Sequence, residues 1–306
     1  MSDKRIEGTW PIIATPMTAD EEIDEEGMRR VVDYEADAGV DGLWMMGARG
    51  EGPNLRERIV RRALEVAVDQ SKNRGIRVVT GCGAPGTQQT IENVRVAEDC
   101  GVDMVHITEP YYYKLDGKPY GERELWAHYE AVADAARVPV VIYFDDSKWP
   151  GITPGRCPEP IKKLAAHPNI AGIKASVGDQ RILQSLVWET EDVGHKFGIM
   201  ITFGHMAFAG LVIGCHGTTA PAAAIAPKMF VDMYIATKGG DLERALTLQR
   251  QVIPLCNAIR GFDAPSTKVA FAALGLCEEH LSMPLQPMIE PHRTQLIEMV
   301  KSGDYY

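Results

Sequence analysis

One lysine, Lys174, lies in an otherwise apolar stretch, Ile-Ala-Gly-Ile-Lys-Ala-Ser over residues 170–176. This pattern is typical of a buried strand that carries an amine to its C-terminal end, and lysine is almost never buried unless it is paired or reactive. Burial disfavours the ammonium form, so such a lysine loses its proton more readily and becomes a nucleophile for a carbonyl carbon. The alternative is a lysine at a strand end whose head simply reaches water.

The elements around this lysine alternate between short apolar segments and amphipathic helical ones, which predicts a parallel sheet covered by helices. The predicted strands span residues 10–16, 42–47, 77–83, 103–109, 138–145, 170–175, 198–203 and 212–219. The predicted helices span residues 25–38, 55–72, 88–100, 122–136, 158–166, 179–190, 205–212, 226–237, 241–260, 265–275 and 290–302. Eight βα units favour a closed (β/α)8 TIM barrel of the α/β class over an open sheet. The first strand also lacks the Gly-x-Gly-x-x-Gly turn of an open dinucleotide-binding sheet.

We expect a single domain in two parts. Residues 1–225 form the barrel core, and residues 226–306 form the last barrel helix and a small C-terminal helical extension.

The composition excludes several classes of function. The formal net charge is -10 and no run of Lys and Arg stands out, which argues against nucleic acid or an anionic membrane as a partner. No apolar segment approaches the ~20 residues that span a bilayer, and the N-terminus has no signal-peptide core. The six cysteines form no Cys-x-x-Cys pair and the eight histidines show no metal-binding spacing. We therefore expect a cytoplasmic protein with reduced thiols, no metal and no cofactor.

In a TIM barrel the catalytic groups come from the C-terminal ends of the strands. At these ends lie residues 47–51, 109–113, 143–146, Lys174, 203–205 and 214–219. Lys174 thus has Tyr143 on the preceding strand and a Gly-rich turn opposite. This combination suits imine chemistry, because the amine attacks a ketone, the phenol moves protons and backbone N–H groups hold a carboxylate.

With these residues in place, the chain resembles the dihydrodipicolinate synthase / N-acetylneuraminate lyase family of pyruvate-type class I aldolases over nearly its whole length. The matching motifs are Ala14-Thr15-Pro16, Gly47-x-x-Gly50-Glu51, Pro110-Tyr111-Tyr112, Tyr143, Gly172-Ile173-Lys174, Gly214-x-x-Gly217, and Lys268 followed by Leu274-Gly275-Leu276.

The resemblance implies a role for each matched position. Lys174 would form a Schiff base with the C2 carbonyl of a 2-oxo acid, and Tyr143 would move protons beside it. Tyr112 resembles a tyrosine that some members lend across a dimer interface, and the backbone N–H groups of Ala48 and Arg49 would hold the carboxylate. The alternatives are a barrel tyrosine satisfied by a buried hydrogen bond for Tyr143 and a loop or interface aromatic for Tyr112.

Departures from the family pattern bear on the substrate. The family usually has Ser or Thr at the positions of Ala48 and Arg49, where a hydroxyl relays protons, so that relay cannot run here. Synthases that take an aspartate semialdehyde have an arginine after the strand-five tyrosine, whereas Lys148 is the nearest cation here, and lysine is not an equivalent bidentate clamp.

Three further residues have more than one interpretation. Arg49 either pairs directly with the substrate carboxylate or points outward to Glu51 or Glu57. Asp145 and His205 either bind substrate hydroxyls and protons or are solvated loop residues. His216 is expected to pack within its Gly-Cys-His-Gly turn, and Glu51 to orient the loop that contains it.

We therefore predict a Schiff-base lyase, an aldolase or dehydratase, acting on pyruvate or another 2-oxo acid, including a hydroxylated or sugar-acid one. The alternatives are a condensation like that of 4-hydroxy-tetrahydrodipicolinate synthase and a non-catalytic member that binds a 2-oxo acid. The resemblance also implies a homotetramer built as a dimer of dimers.

Overall fold

The computed structural model of the protein describes residues 6–112, 120–149, 155–303 and 305. Within these ranges eight strands form one sheet in which every neighbouring pair is parallel. The strands are β1 Gly8–Thr9, β2 Gly42–Met45, β3 Arg77–Gly81, β4 Met104–Ile107, β5 Val140–Asp145, β6 Ile170–Ser176, β7 Gly198–Ile201 and β8 Gly217–Thr218. The predicted α/β barrel is confirmed.

The barrel closes between the segment after β1 and strand β2. The backbone N–H of Ile13 donates to the carbonyl of Trp44 at 3.1 Å, and the N–H of Trp44 donates to the carbonyl of Pro11 at 2.8 Å. On its other side β1 lies so close to β8 that a Cβ on Gly217 would stand 2.1 Å from the carbonyl oxygen of Gly8. Only glycine fits at that point of closure.

Helices follow the strands around the barrel. They are α1 Glu25–Asp37, α2 Glu57–Arg74, α3 Thr87–Asp99, α4 Glu122–Ala135, α5 Glu159–Ala165, α6 Gln180–Glu189, α7 Ala207–Ile213, α8 Pro227–Lys238, α9 Leu242–Ala258, α10 Asp263–Ala273 and α11 His292–Lys301. Helix α1 is capped by Asp24, whose side chain accepts a hydrogen bond from the N–H of Gly27 at 2.9 Å. None of the helices in the described ranges is both long and apolar enough to cross a bilayer.

The core has three parts. Inside the barrel, below the site described next, is a small cluster of Ile6, Trp10, Ile12, Trp44, Val79, Met104, Val141 and Met200. A larger apolar layer fills the space between the strands and the surrounding helices. A third cluster joins helix α8 to α9, α10 and α11. The division of the chain at residue 225 stays a prediction.

Two predicted strands, the first and the last, differ from the observed strands by more than two residues at an end. The first was expected at 10–16, but β1 is Gly8–Thr9, since Pro11 has no N–H to donate to a neighbouring strand. The last was expected at 212–219, but β8 is only Gly217–Thr218, and residues 207–213 are helical. A short apolar run cannot be assigned to helix or strand from its periodicity alone. The glycine and histidine residues of 214–216 therefore precede β8 instead of ending it.

Candidate active site

Lys174 and Tyr143 lie side by side near the C-terminal ends of adjacent strands. They are direct partners in the register of β6 and β5. Successive side chains of a strand point to opposite faces, so Ser176 shares the inward face with Lys174. Both residues line a cavity of about 490 Å³ that opens at this end of the barrel. The predicted pairing of lysine and phenol is present.

The amine of Lys174 is buried among aromatic rings. Lys174 is 7% exposed, and its Nζ lies 5.1 Å from the ring centroid of Trp44 and 5.7 Å from that of Tyr143. Burial first, and then the positive charges of Arg49 and Lys148, lower the pKa of Lys174 to about 7. The alternative of a strand-end lysine in open water does not hold, and a large fraction of this amine is neutral at neutral pH.

Tyr143 is half-buried and hydrogen-bonded. Its hydroxyl donates to Oδ2 of Asp145 at 3.3 Å. Burial raises the pKa of Tyr143, and a hydrogen bond with Ser176 and the charge of Lys148 oppose that shift. The phenol is therefore protonated at neutral pH and has a proton to give to a substrate oxygen.

Asp145 and Lys148 form an ion pair on the outer side of this phenol. The Nζ of Lys148 lies 3.2 Å from Oδ2 of Asp145 and 5.1 Å from the ring centroid of Tyr143. Burial raises the pKa of Asp145, but hydrogen bonds from Ser147 and the charge of Lys148 more than offset it, so the pKa is lowered. Lys148 lines a second cavity of about 550 Å³, and Tyr143 lines both this cavity and the Lys174 cavity. The substrate-binding roles of Asp145 and Lys148 stay predictions.

The loop after β2 brings Ala48 and Arg49 to the Lys174 cavity, as expected. The Nη1 of Arg49 donates to the backbone carbonyl of Asp263 at 2.8 Å and to the hydroxyl of Ser266 at 3.2 Å, and its Nη2 lies 3.6 Å from the Asp263 carboxylate. The expected outward pairing of Arg49 with Glu51 or Glu57 is wrong. Helix α10, which is distant in sequence, supplies its partners.

Glu51 anchors this same loop from below. Its carboxylate is buried and lies 3.1 Å from Nζ of Lys268, while Ser282 donates to it from its backbone N–H at 2.6 Å and its hydroxyl at 2.8 Å. Glu51 itself has a left-handed backbone, with φ 61°. This conformation costs about 1–2 kcal/mol, so the buried contacts hold the loop in a geometry it would not adopt alone. The arrangement agrees with the orienting role expected of Glu51.

The two predicted histidines lie at opposite ends of the barrel. His205 is at the mouth of the Lys174 cavity, where its Nε2 lies 2.7 Å from Oδ1 of Asn257. His216 precedes β8, and its Nδ1 accepts the N–H of Ile199 at 3.0 Å. His216 therefore binds the backbone of β7, and its packing within its own turn stays a prediction. The Gly-rich turn around it is not opposite Lys174, which corrects the predicted position of that turn.

Tyr112 lies outside both cavities. It is 62% exposed, whereas its neighbour Tyr111 lines the second cavity. The role of Tyr112 across a dimer interface stays a prediction.

Sequence reasoning missed His106, on β4. It is 2% exposed, lies edge-on to Trp44 and Tyr143 with centroids 5.0 and 5.7 Å away, and forms no hydrogen bond from either ring nitrogen to any described residue. Burial and the charge of Lys174 lower its pKa well below the usual value. Its position within a buried strand, Val-His-Ile, was the available signal. Among the described residues, no three His, Cys, Asp or Glu side chains are grouped as metal ligands would be.

Comparison with known proteins defines the class. The chain belongs to the dihydrodipicolinate synthetase family, whose model matches residues 5–303. Members of this family are lyases of the pyruvate-dependent class I aldolase type, and this chain is an enzyme of that class.

Individual relatives cover almost the whole chain. The 4-hydroxy-tetrahydrodipicolinate synthase of Acidiphilium cryptum is 31% identical over 94% of this chain and 95% of its own length. That of Methanopyrus kandleri is 31% identical over 97% of this chain and 95% of its own length. Among solved structures, an E. coli K12 prophage protein of the dihydrodipicolinic acid synthase family in complex with pyruvate has a TM-score of 0.86 and 26% identity, covering 98% of this chain and 99% of that one.

Proposed function

We propose that this protein forms a Schiff base between Lys174 and pyruvate or a similar 2-oxo acid and uses it to make a carbon–carbon bond to an aldehyde. The observation that carries the proposal is a buried amine, with a pKa of about 7, next to a protonated phenol in one cavity. The names of the relatives support the condensation of a 4-hydroxy-tetrahydrodipicolinate synthase, and a related structure contains pyruvate. The relatives thus favour the reaction that the sequence analysis gave as an alternative over its first interpretation.

The first half of the reaction is imine formation. Nζ of Lys174 forms a bond to C2 of the 2-oxo acid, and the electron pair of the C2–O double bond moves to oxygen. The phenol of Tyr143 gives that oxygen a proton and recovers one from the nitrogen. A second proton lets the oxygen leave as water, and the product is an iminium ion.

The second half uses the iminium as an electron sink. The C3–H bond gives up its proton, and its electron pair forms an enamine with C2. The C3 carbon then attacks the carbonyl carbon of the aldehyde, and the new alkoxide takes a proton from the phenol of Tyr143. Hydrolysis of the resulting imine releases the product and restores the Lys174 amine.

The 2-oxo acid carboxylate would lie on the loop after β2. Ala48 and Arg49 line the cavity there, and we propose that their backbone N–H groups hold the carboxylate. The guanidinium of Arg49 is fixed by Asp263 and adds a positive charge close to this position.

A second candidate is aldol cleavage or dehydration of a different 2-oxo acid by the same lysine and tyrosine. It is favoured by Lys148, which stands where an arginine would bind the second substrate and is paired with Asp145. Ala48 and Arg49 also provide no side-chain hydroxyl for the proton relay of the family. Incubation with a panel of aldehydes and of hydroxylated 2-oxo acids, with product analysis by mass spectrometry, decides between the two candidates.

The central test is chemical trapping. We expect the protein incubated with pyruvate and borohydride to gain the mass of one reduced pyruvate adduct on Lys174, and Lys174→Ala to gain none. Tyr143→Phe should lower turnover by about 10²-fold or more and leave pyruvate binding largely intact. No adduct on the parent protein would contradict the proposal. An adduct without turnover of any substrate in the panel would support the non-catalytic alternative.

The homotetramer and the cytoplasmic location stay predictions. Light scattering of the protein together with Tyr112→Ala tests whether this exposed tyrosine contributes to an interface between subunits.

A further inference from the structure

Asp145 ends strand β5 two residues after Tyr143, on the same face of the strand. Its Oδ2 accepts the phenol O–H at 3.3 Å and faces Nζ of Lys148 at 3.2 Å. Its Oδ1 accepts the N–H of Ser147 at 3.0 Å and the hydroxyl of Ser147 at 2.6 Å. With both oxygens engaged by donors, the carboxylate has one orientation and stays ionised.

The direction of these hydrogen bonds is determined by proton count. A phenol has one hydrogen, and the Tyr143 hydroxyl donates it in a hydrogen bond to Asp145. Ser176 lowers the pKa of Tyr143, which is the effect of a serine hydroxyl that donates to the phenol oxygen. As a result, a lone pair of the phenol oxygen faces the side of the barrel that Lys174 and Ser176 share.

We propose that Asp145 is a positioning residue for Tyr143: its carboxylate holds the phenol hydrogen, and its ion pair with Lys148 balances the carboxylate charge next to the phenol. This inference rests on the proposed function, because it assigns the residue that controls the proton-transfer group of the Schiff-base cycle. Asp145 itself does not contact the reacting atoms and acts through Tyr143.

The two partners have opposite electrostatic effects on the phenol. The negative charge of Asp145 disfavours phenolate and raises the pKa of Tyr143, while the positive charge of Lys148 lowers it. Other groups around the phenol are common to all variants considered below: Lys174 and Ser176 on β6, His106 and Glu109 on and after β4, and Tyr129 on α4, whose hydroxyl donates to the Tyr143 carbonyl.

Deuterium exchange of the pyruvate methyl group in D2O tests this role without a second substrate, because exchange requires the enamine of pyruvate. We expect the exchange rate of the parent protein to rise through about pH 7 as Lys174 loses its proton, and to fall at high pH as Tyr143 loses its own. Proton NMR of the methyl signal gives the rate at each pH.

Asp145→Asn keeps the shape of the side chain and removes its charge. We expect it to lower the exchange rate at neutral pH by about 10-fold or more and to move the high-pH limb to lower pH. Lys148→Met should move the same limb to higher pH. If Asp145 and Lys148 only supported the loop, neither substitution would move the high-pH limb of the exchange rate. Two shifts in opposite directions would then not be observed.

Asp146→Asn is the matched control. It makes the same chemical change one residue along, where the carboxylate accepts the N–H of Gly178 at 3.1 Å. Its profile should match that of the parent. If the profile of Asp145→Asn also matches the parent while pyruvate is still trapped on Lys174, the positioning role is wrong and the Schiff-base function stands. If the parent traps no pyruvate, the proposed function itself fails.

Discussion

Two lysines in the described part of the chain are buried, and they have opposite surroundings. Lys268, on α10, is completely buried; its Nζ lies 3.1 Å from Glu51 and donates to the carbonyl of His280. Lys174, on β6, is 7% exposed, and the charged groups that act on it are both cations. The same side chain is thus held as a paired ion in one place and pushed towards a neutral amine in the other.

The comparison shows that two buried lysines can have different charged neighbours, a carboxylate beside Lys268 and cations near Lys174. A carboxylate at ion-pair distance keeps the ammonium form, which cannot attack a carbonyl. Lys268 instead stabilises the loop of Glu51, and that loop also contains Ala48 and Arg49 of the candidate site. One lysine is proposed to carry out the chemistry, and the other holds a wall of the cavity in place.

When each lysine is replaced by methionine, the largest expected difference between the two variants is in activity. Lys174→Met is expected to abolish trapping of pyruvate and to lower methyl exchange by about 10³-fold or more, because the nucleophile is gone. In the folded fraction of Lys268→Met, borohydride should still trap pyruvate on Lys174. Mass spectrometry of both variants after pyruvate and borohydride makes the comparison. Trapping on Lys174→Met would remove the distinction between the two sites.

In the free energy of unfolding, the larger effect should instead come from the substitution of Lys268. Lys268→Met leaves the Glu51 carboxylate buried without its partner, and we expect a loss of about 3–5 kcal/mol in the free energy of unfolding. The double variant Glu51→Gln/Lys268→Met should lose less, since no lone charge remains. Urea unfolding followed by circular dichroism measures both. Equal losses in the single and double variants would mean that the unpaired Glu51 charge carries no penalty, contrary to this prediction.

The pH dependence of stability should also identify Lys174. The unfolded chain holds the lysine proton up to about pH 10.4, whereas the folded protein releases it near pH 7, so between these values the unfolded state binds more protons. Raising the pH therefore stabilises the parent relative to Lys174→Met, by on the order of 3 kcal/mol between pH 7 and 10. Unfolding curves of both proteins across this range give the difference. A constant difference would show that Lys174 has an ordinary pKa in the folded state.

The smallest effect should come from Arg49, whose charge adds to burial in lowering the pKa of Lys174. Arg49→Met should raise the midpoint of the trapping rate from about pH 7 by a fraction of a pH unit, and should weaken pyruvate binding. The trapping rate as a function of pH and pyruvate concentration measures both. Arg260→Met is a suitable control. That arginine also lines the cavity, but the charges that lower the pKa of Lys174 are those of Arg49 and Lys148. An unchanged midpoint in Arg49→Met would show that the charge of Arg49 does not contribute to the pKa of Lys174.

The sequence was sufficient for the barrel and for the pair at its centre. Apolar strands alternate with amphipathic helices, and a lysine at the end of one strand faces a tyrosine at the end of the preceding strand because parallel neighbours share their C-terminal edge. The prediction of the last strand failed, because the apolar run at residues 211–215 has no periodicity that distinguishes helix from strand. The start of that predicted strand belongs to helix α7. That error placed the turn of His216 at the wrong end of the barrel.

Long-range partners could not be read from the sequence. One of the two interpretations of Arg49 paired it with Glu51 or Glu57, which are close along the chain, yet it binds Asp263 more than two hundred positions away. The orphan imidazole of His106 between Trp44 and Tyr143 likewise depends on three strands meeting inside the barrel.

What the sequence by itself determined is the type of each element and which strand end carries each reactive group, because these follow from local periodicity and from the period of two along a strand. What only the tertiary structure decided is the state of those groups. Whether a buried lysine is charged, and what holds a phenol hydrogen, depends on charges brought within a few ångströms by the closed barrel. Electrostatic energy follows distance in space, and separation along the chain does not predict it.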